Sequence, residues 1–199
     1  MPLTDPDVET TLRPPVLFLH GQAFTSAIWE STGSLQMLGA AGHRAVAIDL
    51  PGYGKSVWGS EQIDGYLFIA NLIQQLHLGR PILVVPSLGG KYAMPYLMGD
   101  PATASQRVRG LVAIAPAFAE RYTPSEYRQL NLPVLYLYGE RDEHLGKQGL
   151  RLFGEISAVE TRMMPAAGHA CYVEQPDLWR TILMQFVQRV QASVDKSPY

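Results

Sequence analysis

Three side chains that could share one reaction, Ser87, Asp142 and His169, each stand beyond a stretch that reads as a strand. Ser87 follows Ile82-Leu83-Val84-Val85 and a proline, and Leu88, Gly89 and Gly90 come directly behind it. Asp142 ends the segment Gly139-Glu140-Arg141-Asp142 after the run 134–138, and His169 follows Gly168 after the run 159–163. A neutral serine hydroxyl is a poor nucleophile, so an imidazole has to accept its proton during attack. A carboxylate then holds that imidazole in the useful tautomer and stabilises its cation. Two main-chain N–H groups must meet the oxyanion that forms, one from the residue after the nucleophile and one from the loop after an earlier strand. Here those are the amides of Leu88 and of Gln22, the latter directly after His20-Gly21. Losing one such donor typically costs about 3–4 kcal/mol of transition-state stabilisation.

The elbow around Ser87 has a physical logic of its own. A serine squeezed into a sharp strand-to-helix turn has its hydroxyl pushed out at the edge of the sheet. Gly89 is expected to avoid a collision with the turning backbone, and Gly90 to let the next helix pack close to the strand. Each residue also has a plainer use. Ser87 could sit in an ordinary strand–turn–helix join, and His169 could be a loop residue. Asp142 could cap the following helix, with Glu140 its nearest rival as the acid. His20 reads better as a residue that orients its loop than as a base. Asp49, beside Pro51 and Gly52, reads as fixing a turn. It is the joint position of Ser87, Asp142 and His169 at three strand ends that favours chemistry.

The elements that must carry these groups alternate. The stretches 16–19, 45–48, 82–85, 108–115, 134–138 and 159–163 read as strands. Helical spacing marks 26–40, 61–78, the segment after Ser87, 147–153 and a C-terminal helix. In 61–78 the expected buried stripe is Ile63, Tyr66, Leu67, Ala70, Ile73 and Leu76; in the last helix it is Trp179, Ile182, Leu183, Phe186, Val187, Val190 and Val194. Residues 1–15 read as a loose lead-in and 195–199 as frayed. Such alternation implies an α/β fold, a mostly parallel sheet of about six strands covered by helices on both faces. One domain over 1–199 is expected, with no repeat or linker. In open parallel sheets sites lie beyond the strands' carboxyl ends, where all three residues fall.

Composition narrows the function classes. The chain has 199 residues and a net charge of −2, so it lacks the basic footprint of a nucleic-acid binder. No basic amphipathic stretch suggests a membrane surface, and no apolar run approaches the roughly 18 residues of a spanning helix. The polar, acidic start is unlike a signal peptide, and the single Cys171 excludes an internal disulfide framework, so a cytoplasmic protein is expected. Gly54-Lys55-Ser56 echoes the end of a phosphate-binding loop, but that motif needs glycine at 49, where Asp49 would repel phosphate. The five histidines and Cys171 lack metal-ligand spacing, so no metal is expected. Cys171 follows His169 and reads as an ordinary buried thiol. Phe24, Tyr53, Phe118 and Tyr172 could form an acyl wall or belong to the core.

Leu-His-Gly (19–21), Ala-Ile-Asp-Leu-Pro-Gly-Tyr-Gly-Lys-Ser (47–56) and Tyr-Gly-Glu-Arg-Asp (138–142) resemble landmarks of the α/β-hydrolase superfamily. The order serine, acid, histidine is also its order. More narrowly, Pro-Ser-Leu-Gly-Gly-Lys-Tyr (86–92) and Gly-His-Ala-Cys-Tyr (168–172) look like the α/β-hydrolase domain-containing protein 14 group, where a proline likewise precedes the serine and a cysteine follows the histidine. The resemblance implies an esterase acting on small activated acyl esters without a cofactor. It also implies an alternative, removal of acyl groups from lysine side chains with coenzyme A as acceptor. A non-catalytic protein-binding module on the same fold is the third reading. Two departures stand out. Val85 occupies the first glycine of the usual Gly-x-Ser-x-Gly and is expected to crowd the elbow. Too few residues precede Val16 for the superfamily's leading antiparallel strands. Only 116–133 separates the fourth and fifth strands, room for one helix and no lid, so the pocket is expected to be shallow and open.

Overall fold

The computed structural model describes residues 13–56 and 63–194. The outer parts of the expected lead-in and tail, 1–12 and 195–199, and positions 61–62 of the second expected helix lie outside these residues. Six strands form the sheet: β1 (Val16–Phe18), β2 (Ala45–Ala47), β3 (Ile82–Pro86), β4 (Gly110–Ile114), β5 (Val134–Gly139) and β6 (Val159–Met164). Their spatial order is β2-β1-β3-β4-β5-β6, and every pairing is parallel. Among the described residues no strand precedes Val16.

The central strands carry apolar runs because both of their faces are covered. Ile82, Leu83, Val84 and Val85 are all fully buried, each contributing about 1.5–3 kcal/mol of burial. Alternate residues point to opposite faces and feed two separate cores. Leu17, Leu83, Val85, Leu111 and Tyr136 join one core, beneath α3 (Gly65–Gln75), α4 (Gly90–Met98), α6 (Pro124–Gln129) and α7 (Leu145–Phe153). Phe18, Val84, Ile114 and Leu137 join the other, beneath α1 (Ile28–Ser31), α2 (Ser34–Ala40) and α9 (Pro176–Val194). Two short helices, α5 (Ala104–Arg107) and α8 (Cys171–Glu174), complete the set.

Three details depart from expectation. The helix expected over 26–40 is two helices, broken at Gly33, which adopts a left-handed φ of 70°. The guanidinium of Arg180, whose Nη1–H donates to the Thr32 carbonyl at 2.7 Å, fills the space where a Gly33 side chain would stand. In α3 the inward face is Gly65, Ile69 and Ile73, whereas Tyr66 and Leu67 are 40% and 56% exposed. A Cβ on Gly65 would lie 2.8 Å from the Lys91 carbonyl oxygen, so α3 meets the α4 backbone directly at this glycine; Tyr66 and Leu67 of the expected stripe are left outside, while Ile73 is buried and Ile63, Ala70 and Leu76 pack on the core. In α9 the stripe Trp179, Ile182, Leu183, Phe186, Val187 and Val190 is buried as its spacing requires.

β1 and β3 are neighbours, but the chain leaves β1 outward to β2 and leaves β3 the other way to β4. This reversal makes the crevice above β1 and β3 a topological switch point, where α/β sheets place their ligands.

Candidate active site

Ser87 directly follows β3 and takes a φ of 42°, a left-handed conformation rare for a residue with a side chain. A short 3₁₀ turn, Ser87–Gly89, then runs into α4. Such backbone costs on the order of 1–3 kcal/mol and persists only where its surroundings enforce it. Here the Ala117 N–H donates to the Ser87 carbonyl at 2.8 Å, fixing the elbow to the loop after β4. The two glycines serve this packing differently from expectation. Gly89 has ordinary helical backbone (φ −52°), and its lack of a side chain leaves room for Leu19, whose Cβ would lie 3.0 Å from an added one. A Cβ on Gly90 would stand 2.1 Å from the Ala117 carbonyl oxygen, so this glycine admits the β4 loop rather than its own strand. Val85 fits without a gap, its Cγ1 3.5 Å from that Gly89 position and its sheet partner the small Ala113.

Asp142 and His169 meet. His169 Nδ1 lies 2.5 Å from Asp142 Oδ2, although one follows β6 and the other follows β5. Gly139 makes the approach feasible, since a Cβ there would fall 2.0 Å from the Gly168 carbonyl oxygen. Asp142 is 6% exposed while the His169 side chain is 42% exposed, so the carboxylate is sheltered and the imidazole faces outward. With Nδ1–H donated to Asp142, Nε2 keeps its lone pair for a proton from elsewhere. Glu140, the rival acid, is otherwise engaged: its Oε2 accepts the Ala166 N–H at 2.7 Å.

The β1 loop closes the site on its other side. A point where Gly21 would carry a Cβ lies 3.6 Å from both Ser87 Cβ and the Tyr172 hydroxyl, so Ser87, the β1 loop and α8 converge there. Neither the Gln22 nor the Leu88 amide donates a hydrogen bond to a group among the described residues. His20 is fully buried. The Leu50 N–H donates to its Nε2 at 2.9 Å, which places the ring proton on Nδ1, 2.9 Å from the Gly21 carbonyl it donates to. Burial lowers the His20 pKa, keeping the ring neutral in this bridging role. Asp49 clamps the same region, Oδ1 accepting Ser26 N–H at 2.7 Å and Oδ2 accepting Lys55 N–H at 2.8 Å. Those bonds, the one from Lys55 foremost, lower its pKa to about 2.

Of the four aromatic residues considered for an acyl wall, Phe24 and Tyr53 line a shallow cleft of about 440 Å³ next to Gln22, with Thr25 and Ile28. Phe118 is not among those lining residues; it takes a φ of 65° before a 3₁₀ turn, with the Arg121 guanidinium 4.3 Å over its ring. Tyr172 is 2% exposed and stacks on Trp29 with centroids 4.8 Å apart, so most of its surface is spent on packing. Cys171 is fully buried and desolvation pushes its thiol up to about 12, which keeps it protonated and inert. Among the described residues no group of three or more His, Cys, Asp and Glu could hold a metal ion. No described helix is long and apolar enough to cross a membrane.

Glu174 escapes a reading by motif, because its role shows only in space: its Oε1 accepts the Gly168 N–H at 2.9 Å, one residue before His169.

Comparison with known proteins agrees with this fold. The model of the alpha/beta hydrolase family matches residues 16–130. Protein ABHD14A of Mus musculus is 36% identical over 92% of this chain and 74% of its own length. "Putative protein-lysine deacylase ABHD14B" of Rattus norvegicus is 36% identical over 90% of this chain and 85% of its own. Among solved structures, a predicted CIB-like hydrolase from Thermoplasma acidophilum superposes with a TM-score of 0.80 at 22% identity, covering 94% of this chain and 89% of that one. The carboxylesterase CesB of Bacillus subtilis superposes with a TM-score of 0.71 at 20% identity, covering 88% and 84%. Sheet, switch-point site and kinship together place this chain in the alpha/beta hydrolase family, within its ABHD14 group.

Proposed function

We propose that this hydrolase is a serine-dependent acyl hydrolase of esterase type, working on small acyl esters through an acyl-enzyme on Ser87. The observation that carries the reading is the 2.5 Å contact of His169 Nδ1 with Asp142 Oδ2, on the same rim as a serine held at left-handed φ. Ser87 Oγ attacks the ester carbonyl while His169 Nε2 takes its proton, and Asp142 stabilises the imidazolium. The tetrahedral oxyanion accepts hydrogen bonds from the Gln22 and Leu88 amides. Collapse expels the alcohol, which leaves with the proton from Nε2. Water then attacks the acyl-enzyme, giving its proton to Nε2, and the acid departs as Ser87 is regenerated.

A second reading keeps the triad and changes the acceptor. The name of the Rattus norvegicus relative supports an acylated lysine side chain as substrate. The exposed imidazole suits an extended side chain presented by a protein partner. In this reading the thiol of coenzyme A, not water, receives the acyl group.

Ser87→Ala is expected to abolish p-nitrophenyl acetate turnover with the fold intact by circular dichroism. An active-site serine probe should label the wild-type protein at Ser87 alone. Retained turnover in the variant would place the nucleophile elsewhere, and absence of labelling in folded protein would favour a binding module.

A further inference from the structure

The loop that delivers His169 to Asp142 runs from the end of β6 to α8, over residues 165–170. Ordinary loops of this kind have several conformations available, yet a catalytic imidazole must stay within a fraction of an ångström of its working position. The β5 loop grips this segment at successive points. At the near end the Glu140 N–H donates to the Met164 carbonyl and the Arg141 N–H to the Ala167 carbonyl, both at 2.9 Å. Glu140 Oε2 takes the N–H of Ala166, a residue held at a φ of 52°. None of these bonds reaches the residues next to the imidazole.

Glu174 closes that gap. It is the last residue of α8, and its side chain folds back so that Oε1 accepts the Gly168 N–H at 2.9 Å. Its Oε2 pairs with Arg141 Nη2 at 3.2 Å, next to Asp142 in sequence. One carboxylate thus joins the residue before the base to the residue before the acid. Both partners of the ion pair are well exposed (65% and 39%), so the pair itself adds little to global stability. The main-chain bond is different, because it removes the freedom of the peptide that leads into His169. A Cβ on Gly168 would lie 3.0 Å from Oε1, so the contact is close as well as directed.

We propose that Glu174 is a positioning residue for His169, holding the imidazole on Asp142 through the Gly168 amide. The proposal rests on the Ser87–His169–Asp142 reading for its catalytic consequence, though not for the geometry it describes. The hydrogen bond, not the charge, is the working element. Glu174→Gln, which keeps an Oε1 acceptor, therefore retains function that Glu174→Ala loses.

Two measurements on the full chain test it. In p-nitrophenyl acetate hydrolysis, Glu174→Ala should lower kcat by about 10- to 100-fold with KM changed less than about twofold, as for a misplaced catalytic group. Glu174→Gln should recover most of that loss. Separately, proton NMR of the downfield imidazole Nδ1–H, assigned by its disappearance in Asp142→Asn, should show the resonance weakened or lost in Glu174→Ala and retained in Glu174→Gln. Unchanged kcat and resonance in Glu174→Ala would overturn the proposal. So would a Gln variant as impaired as the Ala one, which would assign the effect to charge. If Ser87→Ala retained turnover, the catalytic reading would fail, while the resonance would still decide whether Glu174 holds the imidazole.

Discussion

Asp49 accepts two main-chain hydrogen bonds from different loops, and this sets a pH signature for the region beside the site. Its pKa falls from the ordinary 3.8 to about 2, so the folded state favours the charged form. The carboxylate stabilises the fold fully above its unfolded value, and the contribution disappears as pH falls through the folded one. It amounts to roughly 2 kcal/mol before solvent screening reduces it. Urea unfolding of wild type and Asp49→Asn should differ by about 1–2 kcal/mol at pH 6, and the gap should narrow as pH falls below the ordinary carboxylate value and close only below the folded pKa of about 2. A gap constant with pH would assign the loss to packing. At this scale the sequence is informative where chemistry dictates the residue type. Ser87, Asp142 and His169 can be picked out because each lies beyond the end of a strand, and Asp49 because Pro51 and Gly52 mark a turn. Glu174 cannot, because its partner, the Gly168 amide, is main chain and carries no residue-type signal. Tyr172 is ambiguous for a related reason: an aromatic side chain suits a pocket and a core equally, and only Trp29 stacked on it decides how its surface is used.

At the scale of elements, glycines mark where two backbones come into contact. Gly90 and Gly39 make a controlled pair, both in helices. Gly90→Ala forces a Cβ to within 2.1 Å of the Ala117 carbonyl oxygen, against a loop that also donates to Ser87. It is expected to lower stability by about 1–3 kcal/mol and to lower esterase turnover with it. Gly39→Ala in α2 meets nothing within 4 Å. It is expected to raise stability by about 0.5–1 kcal/mol through helix propensity alone. Chemical denaturation of the two variants checks both signs at once. These contacts also explain what periodicity missed. The 61–78 segment carries two overlapping apolar stripes, one through Tyr66 and Leu67 and one through Ile69 and Ile73. The close approach at Gly65 selects the second. Likewise, the spacing over 26–40 suits one helix until Arg180, 147 positions beyond Gly33 in the chain, occupies the space at the break. Strand placement survives such long-range effects better, since each central strand is a continuous apolar run in any packing.

For the whole molecule, the proposed esterase reading makes the connection between β4 and β5 the limit on substrate size. It holds a 3₁₀ turn, Ala119–Arg121, and the six-residue α6, with no inserted lid. Turnover of p-nitrophenyl esters is therefore expected to fall steadily from acetate to octanoate, without activation by lipid interfaces. Running the series with and without coenzyme A separates the two acceptors: acetyl-coenzyme A formation and faster deacylation would identify the thiol route. A preference for octanoate would mean that a deeper acyl channel exists than the 440 Å³ cleft beside Gln22. The parallel sheet has one further outcome, for biosynthesis. The chain is made in the order Ser87, Asp142, His169, and the strand that supports the last of these, β6, is an edge that docks only on β5. In a nascent chain the elbow residues around Ser87 are therefore made before His169, the proposed proton acceptor. On the proposed triad, activity thus waits for His169, and products truncated before it carry Ser87 without its proposed proton acceptor.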